Sequence, residues 1–221
     1  MPLQTAEAFV LRTYAFKESD RVVSFFTREF GKRRGVARGS RRPKSKFGAS
    51  LEPLTQVRIQ FFDREGRELS SIDHCELIAS PLVFGGTDLL HSVAVSLMAE
   101  VAERMLPEAE VSDATFRLLV AASSNLRQAS SEGACWLPLT YYLYWMVRLG
   151  GFLPALVLSP EAQSLVGAIA AQPLTALDAS AAVAAGEPGR ELRQRLNACL
   201  QDHLEGALRS WPMLASLETS C

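Results

Sequence analysis

The sequence predicts an α+β chain of two modules, a small five-stranded β-barrel followed by an all-α helical domain. Three observations predict it. Strand-like segments crowd residues 7–78 with no amphipathic helix between them. After Ser80-Pro81 the apolar period changes from two to three and four residues, which marks helices. Charge divides at the same place: residues 1–80 hold 15 Lys/Arg against 10 Asp/Glu, and residues 81–221 hold 8 against 14. The expected modules are therefore 1–80 and 81–221, a basic front and an acidic back with different partners.

Residues 7–14, EAFVLRTY, alternate and are rich in β-formers, which predicts the first strand. Arg21 to Thr27, RVVSFFT, reads as the second, with helix as the competing reading because the apolar run is short. Glu29-Phe30-Gly31-Lys32 is a turn with glycine where a positive φ is needed, feeding the third strand. Leu54 to Phe62 is the clearest strand, with Val57, Ile59 and Phe61 on one face. Asp63-Arg64-Glu65-Gly66 supplies a hairpin turn, and Arg67 to Ile78 returns as the fifth strand. Five strands in so short a span are too few for a sandwich and suit a small closed barrel such as an OB-fold.

In the second module, residues 87–106 repeat Leu90, Val93, Leu97, Val101 and Met105 at helical spacing. Thr87 or Asp88 could cap the start, and Pro107 closes the helix. Residues 112–129 form a second helix with Ser112 as N-cap and Phe116, Leu119, Val120 and Leu126 inward. Residues 136–149, WLPLTYYLYWMVRL, are apolar nearly all round and should be the buried centre, ended by Gly150-Gly151. Its aromatics Trp136, Tyr141, Tyr142, Tyr144 and Trp145 are read as core rather than as base-stacking groups. The Ala- and Pro-rich stretch 160–188 predicts two short helices. A last helix over 189–210 carries Leu192, Leu196, Leu200 and Leu204 in one stripe, then Leu208 and Trp211.

Residues 31–47, GKRRGVARGSRRPKSKF, concentrate eight basic residues with no acid among them. Lys32, Arg34, Val36 and Arg38 fall at every second position and share a strand face; Gly35, Ala37 and Gly39 make the other. Arg41, Arg42, Lys44 and Lys46 follow in a polar loop around Pro43. A basic strand running into a basic loop is a track for a phosphate backbone. The competing reading is a charged, solvated edge that resists aggregation. The candidate nucleic-acid-binding residues are thus Lys32, Arg34, Arg38, Arg41, Arg42, Lys44 and Lys46. Arg33 points to the opposite face, and Phe47 is either a base-stacking ring or a core residue.

The remaining features exclude more than they suggest. His74, His91 and His203 sit in no metal spacing, and Cys75, Cys135, Cys199 and Cys221 lie far apart, as free thiols of a reducing compartment do. No catalytic or nucleotide-cradling motif is present, so no enzyme, metal or cofactor is expected. The N-terminal residues lack a secretory pattern, and no apolar run approaches the ~18–20 residues of a membrane span. A cytoplasmic protein is expected.

The order of motifs resembles the bacterial recombination mediator family RecO. Over residues 18–53 the chain shows the family's E-S-D-R element, T-x-E-x-G turn, G-x-A-R-G core and a basic loop ending in Leu-x-Pro. TYYLYWMVRLGGFLPAL (140–156) and DHLEGALRSWPML (202–214) resemble its later helices. Many members carry two CxxC pairs suited to zinc after the Pro-containing turn that ends the first of these, the 140–156 motif. Residues 157–190 contain no cysteine, so that segment is shortened and the zinc site absent. The resemblance implies an N-terminal OB-fold and a helical C-terminal domain. It implies binding of single- and double-stranded DNA, strand annealing, action with RecR, and help in replacing single-strand-binding protein by RecA on the nucleoid. The acidic tail of single-strand-binding protein would need a groove with a basic rim, for which Arg127, Arg148, Arg193 and Arg195 are the candidates. The residues themselves leave two other readings open, a protein-interaction adaptor and an RNA-binding OB module.

Overall fold

A computed structural model describes residues 3–63, 69–81, 89–129 and 132–218. Five strands lead: β1 (Leu3–Phe16), β2 (Asp20–Thr27), β3 (Gly31–Ala37), β4 (Gln56–Phe62) and β5 (Ser70–Ala79). The second segment, open to a helical reading, is strand. They close into a barrel in the order β1-β2-β3-β5-β4, with β3 and β5 parallel and every other pair antiparallel. This is the OB-fold arrangement. The expected hairpin turn at 63–66 lies largely outside the described residues.

The alternating pattern explains the barrel interior. Ala6, Ala8, Val10, Val23, Phe25, Ala37, Val57, Ile59, Phe61 and Ile72 all point inward and are almost fully buried. Phe25 and Phe30 meet Phe61 edge-on at 5.4 and 5.8 Å, an arrangement that adds a favourable quadrupole contact to area burial. Phe47 and Leu51, at and within a 3-10 turn over Gly48–Leu51, close one end. Phe47 is 2% exposed, which resolves its two readings in favour of the core. Burial pushes the Cys75 thiol up to about 12, leaving it a small apolar filler.

One irregularity in β1 redirects its outer half. The register slips between Val10 and Arg12, so Leu11 is an extra, bulged residue. Before the bulge Phe9 and Phe26 pair on the outer surface and pack on Phe116 at 5.4 and 6.1 Å. After it, Arg12 and Tyr14 take the outward positions opposite Ser24 and Val22.

The chain divides into two compact units that are not contiguous in sequence. Residues 102–116 group with 1–81, and residues 82–101 group with 117–221. In the first unit the 102–116 segment fastens to the outer faces of β2 and β3. Ala109 donates its N–H to the Lys32 carbonyl (2.9 Å), Ser24 Oγ donates to Glu103 (2.5 Å), and Arg28 pairs with Asp113 (2.9 Å). Lys32 and Glu108 form a strand-like bridge on the stretch of β3 that precedes its pairing with β5.

The helices are α1 (Leu89–Met105), α2 (Asp113–Gln128), α3 (Trp136–Leu149), α4 (Pro160–Ala171), α5 (Ala181–Ala185), α6 (Glu187–His203) and α7 (Trp211–Glu218). The cap expected at Thr87 or Asp88 lies outside the described residues. Ser112 Oγ accepts the Thr115 N–H and so caps α2 as expected, although Leu118 rather than Val120 joins Phe116, Leu119 and Leu126 in the buried face. In the second unit α3 is the centre, packed by α5 and α6, with the Tyr142 hydroxyl donating to the Met98 carbonyl at 2.8 Å. Trp136, Tyr142 and Tyr144 are buried; Tyr141 and Trp145 are half-buried. The Ala-rich stretch holds α4, two 3-10 turns and α5 rather than two plain helices.

The final helix differs from expectation. It stops at His203 and restarts at Trp211, because Glu205 takes a left-handed φ of 49° and Gly206 follows. Leu204 is consequently only half-buried, while Leu208 reaches the core from the connecting turn. Glu100 accepts the N–H groups of Arg209 (2.8 Å) and Ser210 (2.9 Å), satisfying donors at the start of α7 that no helical carbonyl reaches.

Candidate nucleic-acid interface

β3 positions the first basic residues as alternation requires. Gly35 and Ala37 turn inward, while Lys32, Arg34 and Val36 turn outward beside Phe26, Ser24 and Val22 of β2. The loop after β3 is held rather than free. Asp20 accepts the Gly39 N–H at 2.8 Å, Arg41 donates its own N–H to the Ser19 carbonyl at 3.0 Å, and the Arg41 guanidinium touches the Lys17 carbonyl at 3.4 Å. The loop thereby lies along the β1–β2 hairpin.

The Gly39 hydrogen bond is the main reason the Asp20 carboxyl titrates below its ordinary value of 3.8, with Ser19, Lys17 and Arg38 adding to it against a smaller opposing effect of desolvation. A depressed carboxylate supports the fold above its unfolded pKa and loses that support as pH falls through the lower folded value. Protection of the Gly39 amide from exchange should therefore fall as pH drops below 3.8. Asp20→Ala should remove that protection at neutral pH, an outcome that amide exchange checks directly.

The seven expected residues do not share one environment. Arg38, Arg41, Arg42 and Lys44 are exposed, and neither Arg42 nor Lys44 makes a side-chain ion pair or hydrogen bond among the described residues. Lys46 is exposed and forms a solvent-screened pair with Asp73 at 3.4 Å. Arg34 is half-exposed and paired with Glu108 at 3.1 Å. Lys32 departs from the expectation that it projects freely. It is 8% exposed, its Nζ donates to the Glu103 carbonyl at 2.8 Å, and it lies 3.8 Å from Glu108. A lysine this buried needs such partners, and they already occupy it. Arg33 lies half-buried on the inner-face row of Phe25.

Sequence reasoning missed three contributors. Arg12 lies over the Tyr14 ring at 4.5 Å, Lys17 over Phe16 at 5.4 Å, and Glu108 sits between Lys32 and Arg34. The alternation of Arg12, Tyr14 and Phe16 was a usable signal for the first two. Nothing local to residues 31–47 points to Glu108. Among the described residues no group of three or more His, Cys, Asp or Glu is placed to hold a metal ion, and no helix is long and apolar enough to cross a membrane.

Residues 1–81 match the family model described as Recombination protein O N terminal, and residues 86–157 match Recombination protein O C terminal. The chain belongs to the RecO family. It is similar to the DNA repair protein RecO of Koribacter versatilis, 45% identical over 155 residues, or 70% of this chain and 62% of that protein. The proteins of the same name from Cutibacterium acnes and Streptomyces coelicolor are 37% identical over 163 residues and 39% over 162. Those matches cover 71% and 70% of this chain, and 64% and 63% of the relatives. The matched span thus takes in a little under two-thirds of each RecO relative's own length. RecO membership agrees with the barrel-then-helices order, and the basic strand and loop both fall inside the N-terminal match.

Proposed function

We propose that the chain is a DNA-binding recombination mediator of a RecF-type repair pathway. In this reading it binds single- and double-stranded DNA and anneals complementary strands. It acts with RecR and with the acidic tail of single-strand-binding protein, and so favours RecA loading indirectly. The reading rests on the cationic loop: Arg38, Arg41, Arg42 and Lys44 are exposed on a backbone pinned to an OB barrel, a preorganised track for phosphates. The two-module division at Pro81 is part of the same proposal. The barrel carries the nucleic acid and the acidic helical module meets protein partners.

Salt dependence tests it. With about four phosphates neutralised, log affinity for a single strand should fall against log salt with a slope of about −3. Replacing Arg34, Arg38, Arg41 and Arg42 together by alanine should flatten that slope towards zero. An unchanged slope in the quadruple variant removes the basic strand and loop from the interface. Capture of RecR and single-strand-binding protein by the intact chain checks the partner half, and an adaptor without DNA activity would keep the capture while lacking the salt slope.

A further inference from the structure

We infer that the outward face of β1 around Tyr14 and Phe16 is a stacking platform for the bases of single-stranded DNA, lying beside the phosphate track. The inference rests on the DNA-binding reading above and goes beyond it, because phosphate contacts alone do not distinguish a strand from a duplex.

The bulge at Leu11 creates the platform. Without it, the outward positions of β1 would continue the apolar row of Phe9 that packs on Phe116. With it, Arg12, Tyr14 and Phe16 share the outer surface. Tyr14 pairs with Val22 of β2, and Val22 pairs with Val36 of β3, so one row across three strands is a ring and two half-buried valines. Tyr14 is 38% exposed, so its ring is open to solvent. The neighbouring row runs Arg12, Ser24, Arg34. Beyond the ring row, Phe16 faces Asp20, and the loop from Arg38 to Lys46 begins there.

Charge selects the occupant. The apolar row is bordered by Arg12, Lys17, Arg34, Arg38 and Arg41, while its nearest acid, Asp20, already accepts the Gly39 N–H. Two exposed acids lie beside it among the described residues, Glu18 at the hairpin tip and Glu108, which is already paired with Arg34 at 3.1 Å. A flat aromatic surface with a cationic border suits a ligand that alternates π-faces with anions, as a single nucleic-acid strand does. Arg12 over Tyr14 adds to it, since a guanidinium can cover a base as well as a ring. Side chains two apart on a strand are separated by about 6.7 Å, roughly twice the 3.4 Å rise per nucleotide of a stacked strand. Bases must therefore leave their own stack to lie on both rings, which a duplex cannot do without melting.

The test compares the full chain's affinity for an oligothymidylate, an abasic oligomer with the same number of phosphates, and a duplex of equal length. The oligothymidylate should bind about tenfold or more tighter than the abasic strand, at equal salt slope. Tyr14→Ala with Phe16→Ala should abolish that difference and leave duplex affinity unchanged. Tyr14→Phe should preserve it, and Tyr14→Leu with Phe16→Leu keeps the apolar bulk should the alanine pair unfold. If the wild-type chain binds the abasic strand as tightly as oligothymidylate, with the slope intact, the platform is overturned while the phosphate track stands. If neither strand binds, the phosphate track falls and the platform with it.

Discussion

Replacing Arg193 with methionine should destabilise the helical unit by about 3–5 kcal/mol, the usual effect of removing one partner from a buried ion pair. Arg193 is 1% exposed in the middle of α6. Its Nε donates to Glu218 at 2.5 Å, and its Nη1 donates to Thr140 Oγ1 at 3.0 Å and to the Ala184 carbonyl at 2.6 Å. Its guanidinium also lies 4.2 Å from the Trp136 ring centre. Four elements thus converge on one side chain: α3, α5, α6 and α7. Burial pulls the guanidinium pKa down, and the Glu218 carboxylate opposes that pull. Methionine fills the space but leaves Glu218, itself 3% exposed, as a buried unpaired carboxylate. In a chain of this size the loss corresponds to a melting-temperature decrease of about 6–20 °C. The double variant Arg193→Met, Glu218→Leu should recover most of it, because an apolar pair of similar volume avoids the desolvation penalty. A single variant that melts with the wild type would show that α7 is not held by this pair. The same geometry removes Arg193 from the four arginines considered for an acidic partner tail. Arg127, Arg148 and Arg195 keep exposed or half-exposed side chains, whereas Arg193 already holds a carboxylate.

Local patterns were enough to read the strands, because one wall of each faces a packed interior and the other does not. Val57, Ile59 and Phe61 could hardly have been anything but an inward row. The cations of residues 31–47 were equally plain. What sequence could not disclose were features whose cause lies far along the chain. The bulge at Leu11 leaves the composition of β1 unchanged and alters only which side chains face out. Residues 102–116 straddle the end of one helical pattern and the start of the next, yet they group with the barrel, where Phe116 meets Phe9 and Phe26. The leucine stripe runs through Leu204 to Leu208 without a break, although the backbone turns at Glu205 and Gly206. Lys32 has the same sequence context as its neighbours, but Glu103 and Glu108 bury it from more than 70 residues away. Charge runs state which residues could meet phosphate; partners distant in sequence decide which of them are free to.

Gly31 tests that last point, and Gly31→Ala should loosen the 107–111 segment from β3 at a cost of about 2–4 kcal/mol. Gly31 adopts a φ of 68°, and a Cβ there would overlap the backbone of Glu110. Both requirements are backbone ones, so no rotamer change relieves them. The strain should be released where the attachment is weakest, at the hydrogen bond from the Ala109 N–H to the Lys32 carbonyl. Amide exchange at Ala109 should accelerate well before the barrel interior opens. The functional consequence follows from charge: as the segment leaves, Glu108 withdraws from Lys32 and Arg34. Arg34 then becomes available, while Lys32 still donates to the Glu103 carbonyl, and the salt slope for single-strand binding should steepen by about 0.7 for the new phosphate contact. Glu108→Gln separates the two effects, since it removes the competing carboxylate while leaving the Ala109–Lys32 hydrogen bond in place. That variant should melt close to the wild type and still bind a single strand more tightly. If Glu108→Gln leaves both affinity and slope unchanged, Arg34 lies outside the interface, and the contact falls to the loop from Arg38 to Lys46 alone.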